Sequence, residues 1–154
     1  MLKLIKCEFL KLKRKKFIPL IILAAFLFPI PLTYLMTTPS MMERYTDRAD
    51  AFDGLFNMVL GYGIQFLLPC IIGVIAAILF FMERDNDTFK NLRTIPVTST
   101  QMVLAKIIVL FLFGIVFCVA STIATILCGF GTLEVYGIGY KLFLAVETGI
   151  FITA

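Results

Sequence analysis

The stretch from Phe17 to Met36, FIPLIILAAFLFPIPLTYLM, is 20 consecutive residues without a charge. Wound as an α-helix it extends about 30 Å, the thickness of the hydrocarbon core of a bilayer. A helix on the surface of a soluble domain would show a polar face every third or fourth residue, and this run shows none. A cleaved signal peptide is the competing reading. Its apolar part would be only roughly 7–15 residues and would end at a small-x-small site, and neither condition is met. Phe17 to Met36 is therefore read as a first spanning helix.

Further along the chain, two more apolar runs extend from Phe56 to Met82 and from Met102 to Phe130. Both exceed the minimum for a span and are read as tilted or partly interfacial. A fourth run begins around Lys141, but the stretch from there to Ala154 reaches only about 20 Å, too short to cross. The sequence thus reads as the front part of a longer protein, with an interfacial or re-entrant end as the alternative. The expected fold is all-α, a polytopic transmembrane bundle forming one domain over residues 1–154. It comprises an amphipathic interface helix at 1–16, spans at 17–36, 56–82 and 102–130, a connecting segment at 83–101 and an incomplete fourth helix at 141–154.

Composition agrees. Hydrophobic residues make up 60% of the chain and charged residues 16%, with a mean hydropathy of +0.99. A soluble protein has roughly 45–50% and about 25%. The four cysteines, Cys7, Cys70, Cys118 and Cys128, have no C-x-x-C spacing and the chain has no histidine, so neither a metal site nor a disulfide framework is suggested. They read as small packing residues. The net charge of +4 does not point to nucleic acid, because the basic residues gather beside a hydrophobic run and so suit anionic membrane lipids.

Charge also sets the expected topology. Lys3, Lys6, Lys11, Lys13, Arg14, Lys15 and Lys16 precede the first span, which places the N-terminus in the cytoplasm of a plasma-membrane protein. The segment from Glu83 to Lys106, with Arg84, Lys90, Arg93 and Lys106, falls on the same side. Residues Thr37 to Leu55 mix Glu43, Asp47, Asp50 and Asp53 with Arg44 and Arg48, have no basic excess, and read as an external loop. Among the first sixteen residues Leu2, Ile5, Phe9 and Leu12 stand at helical spacing with lysines on other faces, as in a helix lying on the inner leaflet. Each lysine there contributes about 1 kcal/mol of attraction to an anionic surface.

Within the spans a few residues stand out. Gly61, Gln65, Pro69, Gly73 and Ala77 recur every fourth residue, a small or polar stripe suited to close helix packing. Pro69 has no amide to offer the carbonyl of Gln65, so a kink is expected there, with Gln65 facing protein or a cavity. On the third span Gly114, Cys118, Ser121, Thr125 and Cys128 alternate steps of four and three, the spacing of a packed seam. Glu147 is an ionisable group inside an apolar run and costs roughly 2.5–3.5 kcal/mol at a helix centre, so it needs a partner, water, a proton or a boundary to snorkel to. Gln65, Pro69 and Glu147 are the candidates for an intramembrane path or for packing.

The connecting segment ERDNDTFKNLRTIP, residues 83–96, is the most informative stretch. Asp87 or Thr88 can cap a short helix that presents Phe89, Leu92 and Arg93 together, and Pro96 would stop it. Thr98-Ser99-Thr100-Gln101 then fits a capping box opening the third span. A capped hairpin with apolar side chains outside the membrane has the character of a docking element; an ordinary solvated loop is the plainer reading.

At these residues a resemblance enters. Glu83, Asp87-Thr88, Lys90-Asn91-Leu92, Pro96-Val97-Thr98 and Ala105-Lys106 resemble the inner loop of type-2 ABC transporter permeases, which often read E, then G-T-x-K-x-L, P-x-S-R and a later A-K. Glu8-Phe9-Leu10-Lys11-Leu12-Lys13-Arg14 resembles the approach to the first span in that family, especially in its bacitracin and lantibiotic self-protection branch. Asp87 stands where glycine is common, and Thr100 near the usual arginine. The resemblance implies about six spans per full permease, two permease units (a second copy or a paralogue), and a separate ATP-binding subunit docking on the inner face. It implies that Glu83, Asp87, Thr88, Phe89, Lys90, Leu92, Arg93 and Pro96 couple to that subunit, and that a peptide antibiotic, a drug or another amphipathic compound is exported.

The sequence has no G-x-x-x-x-G-K-[ST] motif, so ATP and magnesium are expected on the partner and not on this chain. An intramembrane enzyme is not indicated, since the spans hold no paired acids, no histidine and no serine beside a base. The other reading is a small stand-alone membrane protein, structural or conferring immunity, that binds a peptide or lipid.

Overall fold

The computed structural model describes residues 5–6, 9–10, 17–85, 99–131 and 133–154. Every element among them is a helix: α1 Phe17–Leu27, α2 Pro29–Met36, α3 Pro39–Met42, α4 Arg48–Met58, a π-helical stretch Val59–Leu67, α5 Leu68–Asp85, α6 Ser99–Gly129 and α7 Ile138–Thr153.

The first apolar run forms two helices instead of one. Pro29 and Pro31 lack the amides that would reach the carbonyls of Ala25 and Leu27. The joint is shallow, because Phe28 keeps α-helical angles (φ −64°, ψ −43°) and its N–H still donates to the Ala24 carbonyl at 3.2 Å. The Thr33 hydroxyl folds back onto the Pro29 carbonyl at 2.8 Å, so neither group is left bare.

The second run departs further from expectation. Its helix starts at Arg48, well ahead of Phe56, so much of the polar stretch 37–55 is helix and not loop. The reason is a second pattern hidden among the charges: Ala51, Phe52, Leu55, Phe56 and Val59 make one helical face and are all buried. Asp47 enters in an extended conformation and Asp50 stands in the first turn, where the helix dipole favours an acid. α4, the π-helical stretch and α5 run on as a single helix, apolar enough to cross a bilayer over Arg48–Phe81; Thr100–Gly129 passes the same test, while Ile21–Met36 is shorter. The disturbance expected at Pro69 as a kink takes another form. Winding is π-helical for nine residues up to Leu67 and becomes α-helical at Leu68. A wider ring is one way to accommodate a carbonyl that proline cannot satisfy.

Packing is built around α6. At the centre Ala25, Phe56, Ile64, Leu68, Phe117, Cys118 and Ala145 form one buried cluster. Met36, Phe52, Leu55, Ile126 and Leu133 form a second towards the α6–α7 connection. Ile75, Leu79, Val109 and Phe113 form a third on the opposite side, and there Ile5 packs and Phe9 stacks on Phe113 at 5.7 Å between centroids. Residues 5–6 and 9–10 are helical; the rest of the expected interface helix lies outside the described residues.

The α6 seam takes shape against α7. Gly114, Cys118, Ser121 and Thr125 are buried, facing a helix whose buried line is Lys141, Ala145 and Gly149. The backbones approach so closely that a Cβ added at Gly149 would overlap Sγ of Cys118, and one added at Gly114 would stand 2.6 Å from Cγ2 of Thr153. Threonine hydroxyls inside the bundle are consumed locally, Thr122 donating to the Cys118 carbonyl, Thr125 to Ser121 and Thr148 to Leu144, at 2.7–2.8 Å, whereas the buried Ser121 hydroxyl has no hydrogen-bond partner among the described residues. We expect Gly149→Ala to destabilise the protein by about 2 kcal/mol through overpacking. Cys118→Ala in the same chain should recover about half of that by removing Sγ. Unfolding of the single and double variants in detergent micelles measures the coupling, and independent, additive effects would contradict a seam closed at this point.

The small-residue stripe on the second long helix behaves differently. Gln65, Pro69, Gly73 and Ala77 are exposed, and a Cβ at Gly61 or Gly73 would meet open space. Bulky Ile64, Leu68, Ile75 and Leu79 take the inward positions instead.

Candidate functional site

Two constellations of polar groups emerge from this packing. The first lies where α4 meets the start of α7. Gly137 precedes α7 in the left-handed region (φ 64°, ψ 30°), a conformation that costs other residues roughly 1–2 kcal/mol. This turn brings the Tyr136 carbonyl back over the first turn of α7, where it accepts from Nζ of Lys141 at 3.1 Å. The same Nζ lies 2.6 Å from Oδ1 of Asp53, and the Tyr136 hydroxyl donates to Oδ2. Lys141 is only 5% exposed. Three rings close around its ammonium, Tyr136 at 4.0 Å, Phe52 at 4.3 Å and Phe56 at 5.9 Å from their centroids, each within range of a cation–π attraction. The hydrogen bond to Asp53, with partial desolvation and the nearby Asp53 and Asp50 charges, raises the Tyr136 phenol above its usual range. Lys141 is therefore the centre of a cage joining two helices.

The second constellation is a groove of about 420 Å³ between the π-helical stretch and the outer side of α7, lined by Gln65, Leu144, Glu147, Thr148, Phe151 and Ile152. Two residues singled out separately in the sequence, Gln65 and Glu147, meet here. Glu147 stands about 14 Å along α7 from Ile138. Pro69 is exposed one turn beyond Gln65. A second, apolar cavity of about 210 Å³ lies between α1 and α5, lined by Ile21, Ala24, Leu67, Cys70, Ile71, Val74 and Ile75.

Of the expected docking residues, Glu83 belongs to the last turns of α5, whereas Asp87, Thr88, Phe89, Lys90, Leu92, Arg93 and Pro96 lie outside the described residues. Ala105 and Lys106 are both buried on α6, with Nζ of Lys106 4.5 Å from the Phe80 ring centroid. The sequence reading missed the pairing of Asp53 with Lys141. The available signal was a lone lysine at the head of an apolar run, facing a stretch rich in acids.

The distribution of side chains defines the class of protein. Threonine, serine, glycine and cysteine line the helix contacts, while Phe151, Tyr34, Phe143, Phe66 and Leu127 are largely exposed, an arrangement stable when the surroundings are lipid. With two helices long and apolar enough to cross, this is a membrane-embedded helical protein. The chain belongs to the ABC-2 family transporter proteins, whose family pattern matches residues 4–154. That family supplies the membrane permease of ABC transporters, which is not the ATP-hydrolysing component and usually works with an ATP-binding subunit. No curated protein and no solved structure matches the chain.

Proposed function

We propose that this chain is the membrane-spanning part of an ATP-driven exporter of the self-protection type, moving a peptide antibiotic, a drug or another amphipathic compound. Family membership over residues 4–154 carries the reading. In it, ATP and magnesium are bound by a separate subunit, a second permease copy or paralogue completes the transporter, and the substrate passes between helix bundles. The basic residues 3–16 and 84–106 lie in the cytoplasm, held by anionic lipids, and residues 37–55 lie outside. The segment 83–96 receives the ATP-binding subunit, because its Phe89 and Leu92 are apolar groups outside any span and need a protein pocket.

The test is co-purification of the full-length protein from native membranes with an ATP-binding subunit, followed by ATP-driven uptake of a cationic peptide antibiotic into inside-out vesicles. The expected result is a stable complex and uptake that stops when the nucleotide is withheld. A protein that purifies alone and protects cells without nucleotide would instead be a stand-alone immunity protein.

A further inference from the structure

The groove holding Gln65 and Glu147 has a composition that packing does not explain. Its wall is apolar at Leu144, Phe151 and Ile152, yet a carboxylate and a carboxamide open into it. Among the described residues neither group has a hydrogen-bond or ionic partner within the chain. Lys141, buried in the bundle, is met by a carboxylate, a carbonyl and three rings, whereas the carboxyl group of Glu147 on α7 is exposed and faces the groove. Thr148, also in the lining, turns its proton to the Leu144 carbonyl and so presents only oxygen lone pairs to the groove. Oxygen acceptors therefore dominate the polar part of the wall, and Gln65 adds one more beside its amide protons. A volume of about 420 Å³ lies within the range that accommodates a small organic molecule.

We propose that this groove binds an amphipathic organic cation, with Glu147 supplying the counter-charge, Gln65 orienting the polar end, and Phe151 with Leu144 and Ile152 holding the apolar body. A carboxylate in apolar surroundings is costly until a cation joins it, and an aromatic face beside it attracts the same sign of charge. A neutral or anionic amphiphile of equal size gains neither interaction. The assignment of this ligand as cargo rests on the exporter reading above; the binding site itself does not require it.

The experiment is equilibrium binding of radiolabelled tetraphenylphosphonium to the purified full-length protein in nanodiscs of neutral lipid, without nucleotide or ATP-binding subunit. Tetraphenylborate, an anion of nearly the same shape, is the comparison. Wild type should prefer the cation. Glu147→Gln, which preserves shape, should weaken cation binding at least tenfold, and Gln65→Leu about threefold. Glu134→Gln, an exposed residue outside the groove, removes the same charge and should change affinity less than twofold. Equal binding of both ions by wild type, or retention of affinity in Glu147→Gln, would overturn the proposal, as would equal losses in Glu147→Gln and Glu134→Gln. So would a Glu147→Gln protein whose only change is a loss of oligomers, because the groove would then be a helix contact. Failure to co-purify an ATP-binding subunit would remove the exporter reading while leaving a Glu147-dependent binding result intact.

Discussion

Replacing Asp53 with alanine is expected to destabilise the protein by about 3 kcal/mol, because it strands the ammonium of Lys141 in a cage with its carboxylate removed. Breaking one partner of a buried ion pair costs about 3–5 kcal/mol. The low end applies here, since the Asp53 side chain is 42% exposed and water can partly replace it, whereas the Lys141 side chain is 6% exposed. The opposite change is milder. Lys141→Met keeps an unbranched side chain among Phe52, Phe56 and Tyr136 and leaves an Asp53 that water can reach, so a loss of about 1 kcal/mol is expected, mainly from the cation–π contacts. The double variant should resemble Lys141→Met and be more stable than Asp53→Ala alone. Denaturant unfolding in micelles, read as a double-mutant cycle, decides the matter: strict additivity would mean that the cage does not act as a unit.

Phe89→Ala is expected to weaken capture of the ATP-binding subunit about thirtyfold while leaving the protein inserted. Truncating an aromatic anchor at an interface commonly costs about 2 kcal/mol or more, and that energy corresponds to roughly this factor. Lys90→Ala should matter less, because a rim charge acts mainly on encounter and is screened by salt. Pull-down with wild type, Phe89→Ala and Lys90→Ala at matched membrane levels and two salt concentrations gives the order of effects. Undiminished capture by Phe89→Ala would refute docking at residues 83–96, as would a larger, salt-resistant loss with Lys90→Ala.

How much of this was legible in the sequence depended on the range of the interaction. Apolar runs longer than a bilayer is thick announce a membrane protein without tertiary information, and the steps of four and three from Gly114 to Thr125 identified the α6 face that α7 covers. The start of α4 was hidden, because Arg48, Asp50 and Asp53 drew attention to charge while Ala51, Phe52 and Leu55 carried the helical face. The cage was hidden for another reason. Asp53 and Lys141 are far apart along the chain, and only the left-handed turn at Gly137 brings the Tyr136 carbonyl and hydroxyl to bear on them. Gln65 and Glu147 were each conspicuous alone, but their common groove exists only once α7 has docked beside the π-helical stretch.

That π-helical stretch has a geometric consequence for the whole second crossing. Each of its closures takes in one more residue than an α-helical closure, so the angular phase of the chain slips between Val59 and Leu67. A single helical wheel drawn from Arg48 to Asp85 superimposes residues that point in different directions. Phe52 and Phe56 are buried ahead of the slip, in the second and the central cluster, and Ile75 and Leu79 after it, in the third. Counting in fours through Gly61, Gln65, Pro69 and Gly73 therefore traces a line that crosses the offset, which is how a row of small residues comes to lie along the outside of the bundle.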